Sequence, residues 1–289
     1  MASPDSTELR SIAELAADQH DVSAHEVFVR LLLYLPRSAD GDGRVVAELA
    51  RRRAEHVAAR YAERISPFTD CRRPPREFVR ARDLRFGEVP EASARPILER
   101  FHYLESFRPE SSHFGGFADG RLAAQLTVSR LDLTTIAEQL PPGVSRDEVA
   151  VLARVFAFDW APRNALSFLI ARLVRRLRDA AQPPRLLLTY LNPNLGFSGS
   201  SYRAANWSLW ATEAGTRYAY LDAEYITDRA LAARFGTASA ERLSAQLGSR
   251  IRFSRMRLAP LRIYAYPIDA ALRKHLADRA PVALERPQL

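Results

Sequence analysis

Two short stretches set reactive side chains immediately behind apolar runs. The first, FDWAPRNALS at residues 158–167, turns through Pro162 and opens a helical pattern with Arg163, Asn164 and Ala165. Backbone amides at a helix start have no intrahelical partner and the helix dipole is positive there, so with Arg163 beside them they could hold an anion such as a phosphate. Pro162 suits a helix entrance and Asn164 can cap one. The plainer alternative is a helix start that needs only its cap, with Arg163 in solvent. The second stretch, NPNLGFSGSSYRAANW at residues 192–207, follows the run LLLTYL. Gly196 and Gly199 let the backbone approach something closely. Ser198, Ser200 and Ser201 offer hydroxyls at the start of a helix, on which Tyr202 and Asn206, four apart, share a face. Tyr202 could protonate a leaving group, and Asn192 could position an amine or amide. Against this, Tyr202 and Trp207 fit equally well as core aromatics and the serines as caps.

The elements that must position these turns can be read from periodicity. Residues 1–75 read as a helical subdomain, with helical spacing in STELRSIAELAADQ, SAHEVFVRLLLYL and VVAELARRRAEHVAARYAERI. SPFTDCRRPPREF is the boundary, and residues 76–289 form a second, α/β domain. Within the helices, Ala17, Asp21, Val22, Ser23 and Val27 have helix-turn-helix spacing, with Asp21 where glycine is usual, which raises DNA contact as a role; an ordinary helix pair packed on the main domain is the alternative. Beyond the boundary, EFVRARDL reads as a strand and EASARPILERFHYL as a helix ending at His102 and Tyr103. HFGGFADGRLAAQLTVSRLD reads as a hairpin turning at Asp119-Gly120. EVAVLARVFAF and PRLLLTYL are strands apolar on both faces, joined by the helix after Pro162. RYAYLDAEYI and RMRLAPLRIYAY add later strands. The fold class is therefore α/β, a mixed central sheet flanked by helices.

Composition narrows the class. Hydrophobic residues make up 47% and charged residues 26% of 289, which suits a globular chain rather than a disordered one. A single cysteine, Cys71, excludes a disulfide framework and a cysteine-rich zinc site, and no metal site is expected. The longest early apolar run, VFVRLLLYL, is broken by Arg30 and too short to span a membrane, so a soluble cytoplasmic protein is expected. The net charge of +8 is carried almost entirely by arginine, Lys274 being the only lysine. That balance suits a polyanion such as DNA, though GC-rich coding would also produce it.

The element order and the anion-binding turn resemble the GNAT superfamily of N-acetyltransferases. More narrowly, FHYLESFRPESSHFGGF, LARVFAFDWAPRNALSFLIARL and LTYLNPNLGFSGSSYRAANW are similar to segments of the Mom family of phage DNA-modification proteins, across about residues 95–225. The resemblance implies a GNAT-like fold and an acyl-type transfer to an exocyclic amine of a DNA base, with acetyl-CoA or a related acyl-CoA as donor. A GNAT acyltransferase for a small amine, peptide or protein, or a silent nucleic-acid-binding relative, are the alternatives. It points to His102, Tyr103, Asn192 and Tyr202 as catalytic residues, with Asn206 nearby, and to Arg163, Asn164 and Ala165 as the donor site. Two positions depart from the family pattern: Asn192 replaces an aspartate, and Phe197 replaces a frequent histidine. Either the chemistry is altered, or Asp159 or Asp222 supplies the missing charge.

Overall fold

Apolar residues at helical spacing fold the first part of the chain into three packed helices, α1 (Ser6–Gln19), α2 (Ala24–Leu32) and α3 (Gly43–Ile65), followed by the short α4 (Thr69–Arg72). Next come β1 (Arg85–Glu88), α5 (Glu91–Pro96) with one π turn at Ile97–Phe101, and the hairpin β2 (Ser112–Ala118) and β3 (Arg121–Arg130). The centre of the chain is α6 (Thr134–Ala137), β4 (Val149–Ala157), α7 (Ala165–Arg178), β5 (Leu186–Leu191), α8 (Ser200–Ala204) and β6 (Ser208–Glu213). The last part holds β7 (Ala219–Leu221), β8 (Glu224–Ile226), α9 (Asp228–Phe235), α10 (Ala240–Leu247), β9 (Ile251–Phe253), β10 (Leu261–Pro267), α11 (Ala270–Ala277) and β11 (Val282–Leu284). This is a computed structural model, and it describes residues 6–35, 43–75, 79–132, 134–215, 217–254, 258–277 and 281–284.

The fold is mixed α/β. Eight strands form one sheet in the order β1-β2-β3-β4-β5-β10-β6-β11, and β8-β7-β9 form a small second sheet. The expected hairpin turns at Asp119 and Gly120, both with positive φ. At the sheet centre β4 and β5 are parallel, but only Val149, Ala150 and Val151 find partners, in Leu186, Leu187 and Leu188. The cause lies on the other edge of β4. Thr127 pairs with Arg154 and Val128 with Leu152, so Ala153 is an extra residue, a bulge that adds twist and bends β4 away from β5. The bulge also shifts the alternation: Ala150 and Leu152 face the α7 side before it, Val155 and Ala157 after it. Beyond Val151 the two central strands part.

The α7 stripe Leu169, Ile170, Leu173 and Val174 is buried on one face of the sheet. Across the opposite face, Tyr61 and Ile65 of α3 pack with Phe101, Phe156 and Phe158. The N-terminal helices are tied to this body by buried polar contacts. Arg30, only 4% exposed, binds Glu26, donates to the Phe101 carbonyl (2.8 Å) and stacks over Tyr61 (4.2 Å). Tyr220 donates to the Leu33 carbonyl at 2.7 Å.

Several details differ from the sequence reading. EFVRARDL is not a strand where it is described: Ala81–Asp83 form a 3-10 turn and β1 begins at Arg85, while residues 77 and 78 lie outside the described residues. RYAYLDAEYI forms two strands of the small sheet rather than part of the central one. The helix after the glycine turn stops at Ala204, and Asn206 is exposed with a left-handed φ of 62°. Tyr202 and Asn206 therefore share no helix face. Around Asp21 the local geometry is as expected, with Asp21 left-handed, the Val22 amide returning to the Ala17 carbonyl at 3.1 Å, and Ser23 capping the Glu26 amide. Yet Glu26 to Leu31 are all buried, so α2 has no free face to lay in a DNA groove. Among the described residues, no helix is long and apolar enough to cross a membrane.

Candidate active site

The parting of β4 and β5 opens a cavity of about 380 Å³, walled by Leu152–Ala157 on one side and Thr189–Asn192 on the other. Thr189 closes its base: its hydroxyl donates to the Leu152 carbonyl at 2.9 Å, in place of the lost ladder bond. From there on, the inner edge of β4 has no neighbouring strand among the described residues. The glycine turn forms a third wall. Gly196 and Gly199 both have positive φ, and a Cβ on Gly199 would lie 2.6 Å from the Tyr264 hydroxyl. Only glycine fits there, and it lets the turn fold across the strand ends.

His102, Tyr103, Asn192 and Tyr202 all line this cavity. The π turn ends at Phe101 and delivers His102 and Tyr103, with their rings stacked at 4.5 Å. His102 Nδ1 accepts the Leu104 amide at 3.1 Å, which leaves the proton of a neutral ring on Nε2. Burial, with the charges of Arg154 and Arg30, holds this imidazole well below its ordinary pKa, so it is a neutral donor near pH 7 rather than a base. Tyr103 packs against Phe197 at 5.6 Å, and burial raises its pKa. Tyr202 enters from the other side. Its hydroxyl lies 3.3 Å from Thr189 and its ring stacks on Tyr264 at 5.8 Å, and burial raises its pKa too. Both phenols thus keep their protons at neutral pH. Trp207, by contrast, is a core residue, 3% exposed.

Asn192 is committed elsewhere. Its amide donates to Tyr218 (2.7 Å), and its carbonyl accepts from the Asn194 amide and side chain (3.0 and 2.8 Å). It shapes the turn and is poorly placed to orient a substrate. Asp159 does not line the cavity: it is exposed, accepts from Ser23 at 2.7 Å, and lines a neighbouring recess of about 370 Å³ that shares Glu26, Phe156 and Ala157 with the cavity. Asp222 is remote, in the small sheet, paired with Arg250 at 2.7 Å. The carboxylate that does line the cavity is Glu26, with His25 next to it at 6.1 Å from Phe197, both from α2. Sequence reasoning missed these two and Arg154, because no local spacing links α2 to the strands it covers.

Arg163, Asn164 and Ala165 start α7 at the cavity edge, where Leu166 joins the lining. Arg163 is exposed and has no partner among the described residues. Asn164 occupies the cap position with φ 67° but makes no side-chain cap, a correction to its expected role; its carbonyl takes Phe168 at 3.0 Å instead. Ala165 is buried and its amide reaches the Pro162 carbonyl at 2.9 Å. The Leu166 and Ser167 amides take no backbone carbonyl among the described residues, and they are the donors an anion would meet.

A second opening, a groove of about 880 Å³ between α3 and β8, meets the cavity at Tyr103, which lines both. On its α3 wall His56 and Arg60, with Arg53 beside them, converge on Glu224 (3.6, 2.9 and 3.3 Å), and Glu63 and Glu105 also line the groove.

The sequence model of the Mom protein family matches residues 83–282. No curated relative matches by sequence. Among solved structures, NAA60 of Arabidopsis thaliana in complex with acetyl-CoA superposes with a TM-score of 0.40 at 10% identity, over 64% of this chain and 98% of that one. An N-acetyltransferase from Staphylococcus aureus gives 0.38 at 10% identity, over 64% and 99%. A Bacillus subtilis acetyltransferase in complex with CoA gives 0.34 at 8% identity, over 64% and 98%.

Proposed function

The chain belongs to the Mom protein family, and from that premise we propose that it is a GNAT-like acyltransferase that moves a small acyl group from a CoA thioester to an exocyclic amine of a DNA base. The observation that carries the reading is the split between β4 and β5. A pantetheine arm is a thin chain of amides, and the unpaired edge of β4 offers it the hydrogen bonds of a missing strand. The cavity suits the arm and its thioester, and leaves the nucleotide end outside. Its phosphates would then meet the free amides of Leu166 and Ser167 and the unpaired Arg163.

At the inner end of the split, Tyr202 stands beside Thr189 with its proton retained, so it can protonate the departing thiolate. His102 and Tyr103 present donors from the opposite wall and can orient the acceptor or the thioester carbonyl. A nucleic acid as acceptor is supported by the adjoining groove, where four arginines (Arg30, Arg60, Arg64 and Arg100) line the wall with three glutamates (Glu63, Glu105 and Glu224) and Tyr34, Tyr103 and Tyr225 supply ring surfaces. A base extruded from its strand could pass Tyr103 into the cavity.

Calorimetric titration of CoA into the wild-type chain and Arg163→Ala tests the donor seat. Loss of a charge-assisted bond to phosphate should cost about 1.5–3 kcal/mol of affinity. Equal affinities, or no CoA binding by the wild type, would remove the basis of the reading.

A further inference from the structure

Acyl transfer to an amine releases a proton from the attacking nitrogen, and the four cavity residues expected from sequence, His102, Tyr103, Asn192 and Tyr202, cannot take it. Both cavity tyrosines hold their own protons, His102 has spent Nδ1 on the Leu104 amide, and Asn192 is an amide bound at both ends. Among the described residues one carboxylate residue, Glu26, lines the cavity, and it comes from the N-terminal helices, outside the residues that match the family.

We propose that Glu26 is the general base of the transfer, with α2 serving to insert it into the split. The geometry fixes it closely. Ser23 caps the Glu26 amide at the first turn of α2, at 3.2 Å. Arg30, one helical turn on, grips Oε2, and is itself held by the Phe101 carbonyl and Glu105. Among the described residues no donor reaches Oε1, and the Glu26 side chain lines both the cavity and the recess beside it. Phe28, two residues on, packs 3.0 Å from the Cβ position of Gly196 and holds α2 against the glycine turn.

The step balances on these groups and rests on the acyl-transfer reading above. As the amine nitrogen bonds to the thioester carbon, its proton passes to Glu26 Oε1. As the C–S bond breaks, the thiolate takes the proton of Tyr202. Solvent then returns the base and the phenol to their starting states.

Glu26→Gln keeps the shape and still offers Arg30 a carbonyl oxygen while abolishing the base. The assay is thiol release from acetyl-CoA in the presence of a mixed-sequence single-stranded oligodeoxynucleotide, alongside calorimetric CoA affinity. Removing a general base should lower turnover roughly a hundredfold or more with CoA affinity unchanged. Turnover within threefold of wild type would overturn the proposal, as would a parallel loss of CoA affinity in a variant that keeps its melting temperature. Should Glu26→Gln melt below the assay temperature, Glu26→Asp, which keeps the charge pair with Arg30, decides instead. A loss of at least about tenfold in turnover is expected there, because the carboxylate retracts by a methylene, and wild-type turnover would overturn the proposal. A wild-type chain that binds no CoA, or binds it and releases no thiol, would sink the acyl-transfer reading and this role with it. CoA binding and turnover with an indifferent Gln variant would sink this role alone.

Discussion

Tyr202 shows how far single residues could be read from sequence. Its ring packs against Trp207 and Tyr264 as a core aromatic would, while its hydroxyl stands at the split beside Thr189. Tyr202→Phe removes the hydroxyl and keeps the ring. It should therefore reduce turnover, by up to roughly 10²–10⁴-fold if proton donation limits the rate, while the urea midpoint stays within error. A stability loss without a rate loss would mark a purely structural phenol. Arg163 was legible because a helix start after a strand has chemistry of its own. Glu26 was not, since its pairing with Arg30 reads from sequence as an ordinary i,i+4 helix pair. Asn192 was legible as a turn residue but not as one whose every polar atom is spent on Tyr218 and Asn194.

Among the elements, long periodic ones were legible and short ones were not. β4, α7 and β5 carry continuous apolar runs or a clear stripe, and so does the hairpin with its Asp-Gly turn. The strand β6 went unread because α8 stops after Ala204, sooner than the sequence pattern suggests. The bulge at Ala153, which opens the site, leaves no mark in an apolar run; it follows from pairing with β3. At this scale α2 serves as an inner wall. Arg30 is the pin that holds it, buried against Tyr61, Phe101 and Glu105. Arg30→Ala would leave Glu26 without its partner in a site of low exposure and should cost about 3–5 kcal/mol in urea unfolding. A cost below about 1 kcal/mol would show that the helix is only loosely tied to the sheet.

For the whole molecule, the net charge of +8 leaves only a slight cationic excess, four arginines against three glutamates, in the groove that meets the cavity at Tyr103. Helix-turn-helix spacing in the first helices pointed to DNA for a different reason, and the burial of α2 removes that reason. The proposed function divides the labour: the central strands would offer the donor an unpaired edge, the N-terminal helices would supply the carboxylate, and the groove would lead the acceptor inward. The central claim is that this arrangement acylates an amine of a DNA base, and it can be read without knowing the donor. DNA from cells expressing the wild-type chain, digested to nucleosides and compared by mass spectrometry with DNA from cells expressing Tyr202→Phe at equal level, should contain a nucleoside carrying an added acyl-type group on its exocyclic nitrogen, absent from the variant. Identical nucleoside profiles, with both proteins folded and expressed, would contradict it.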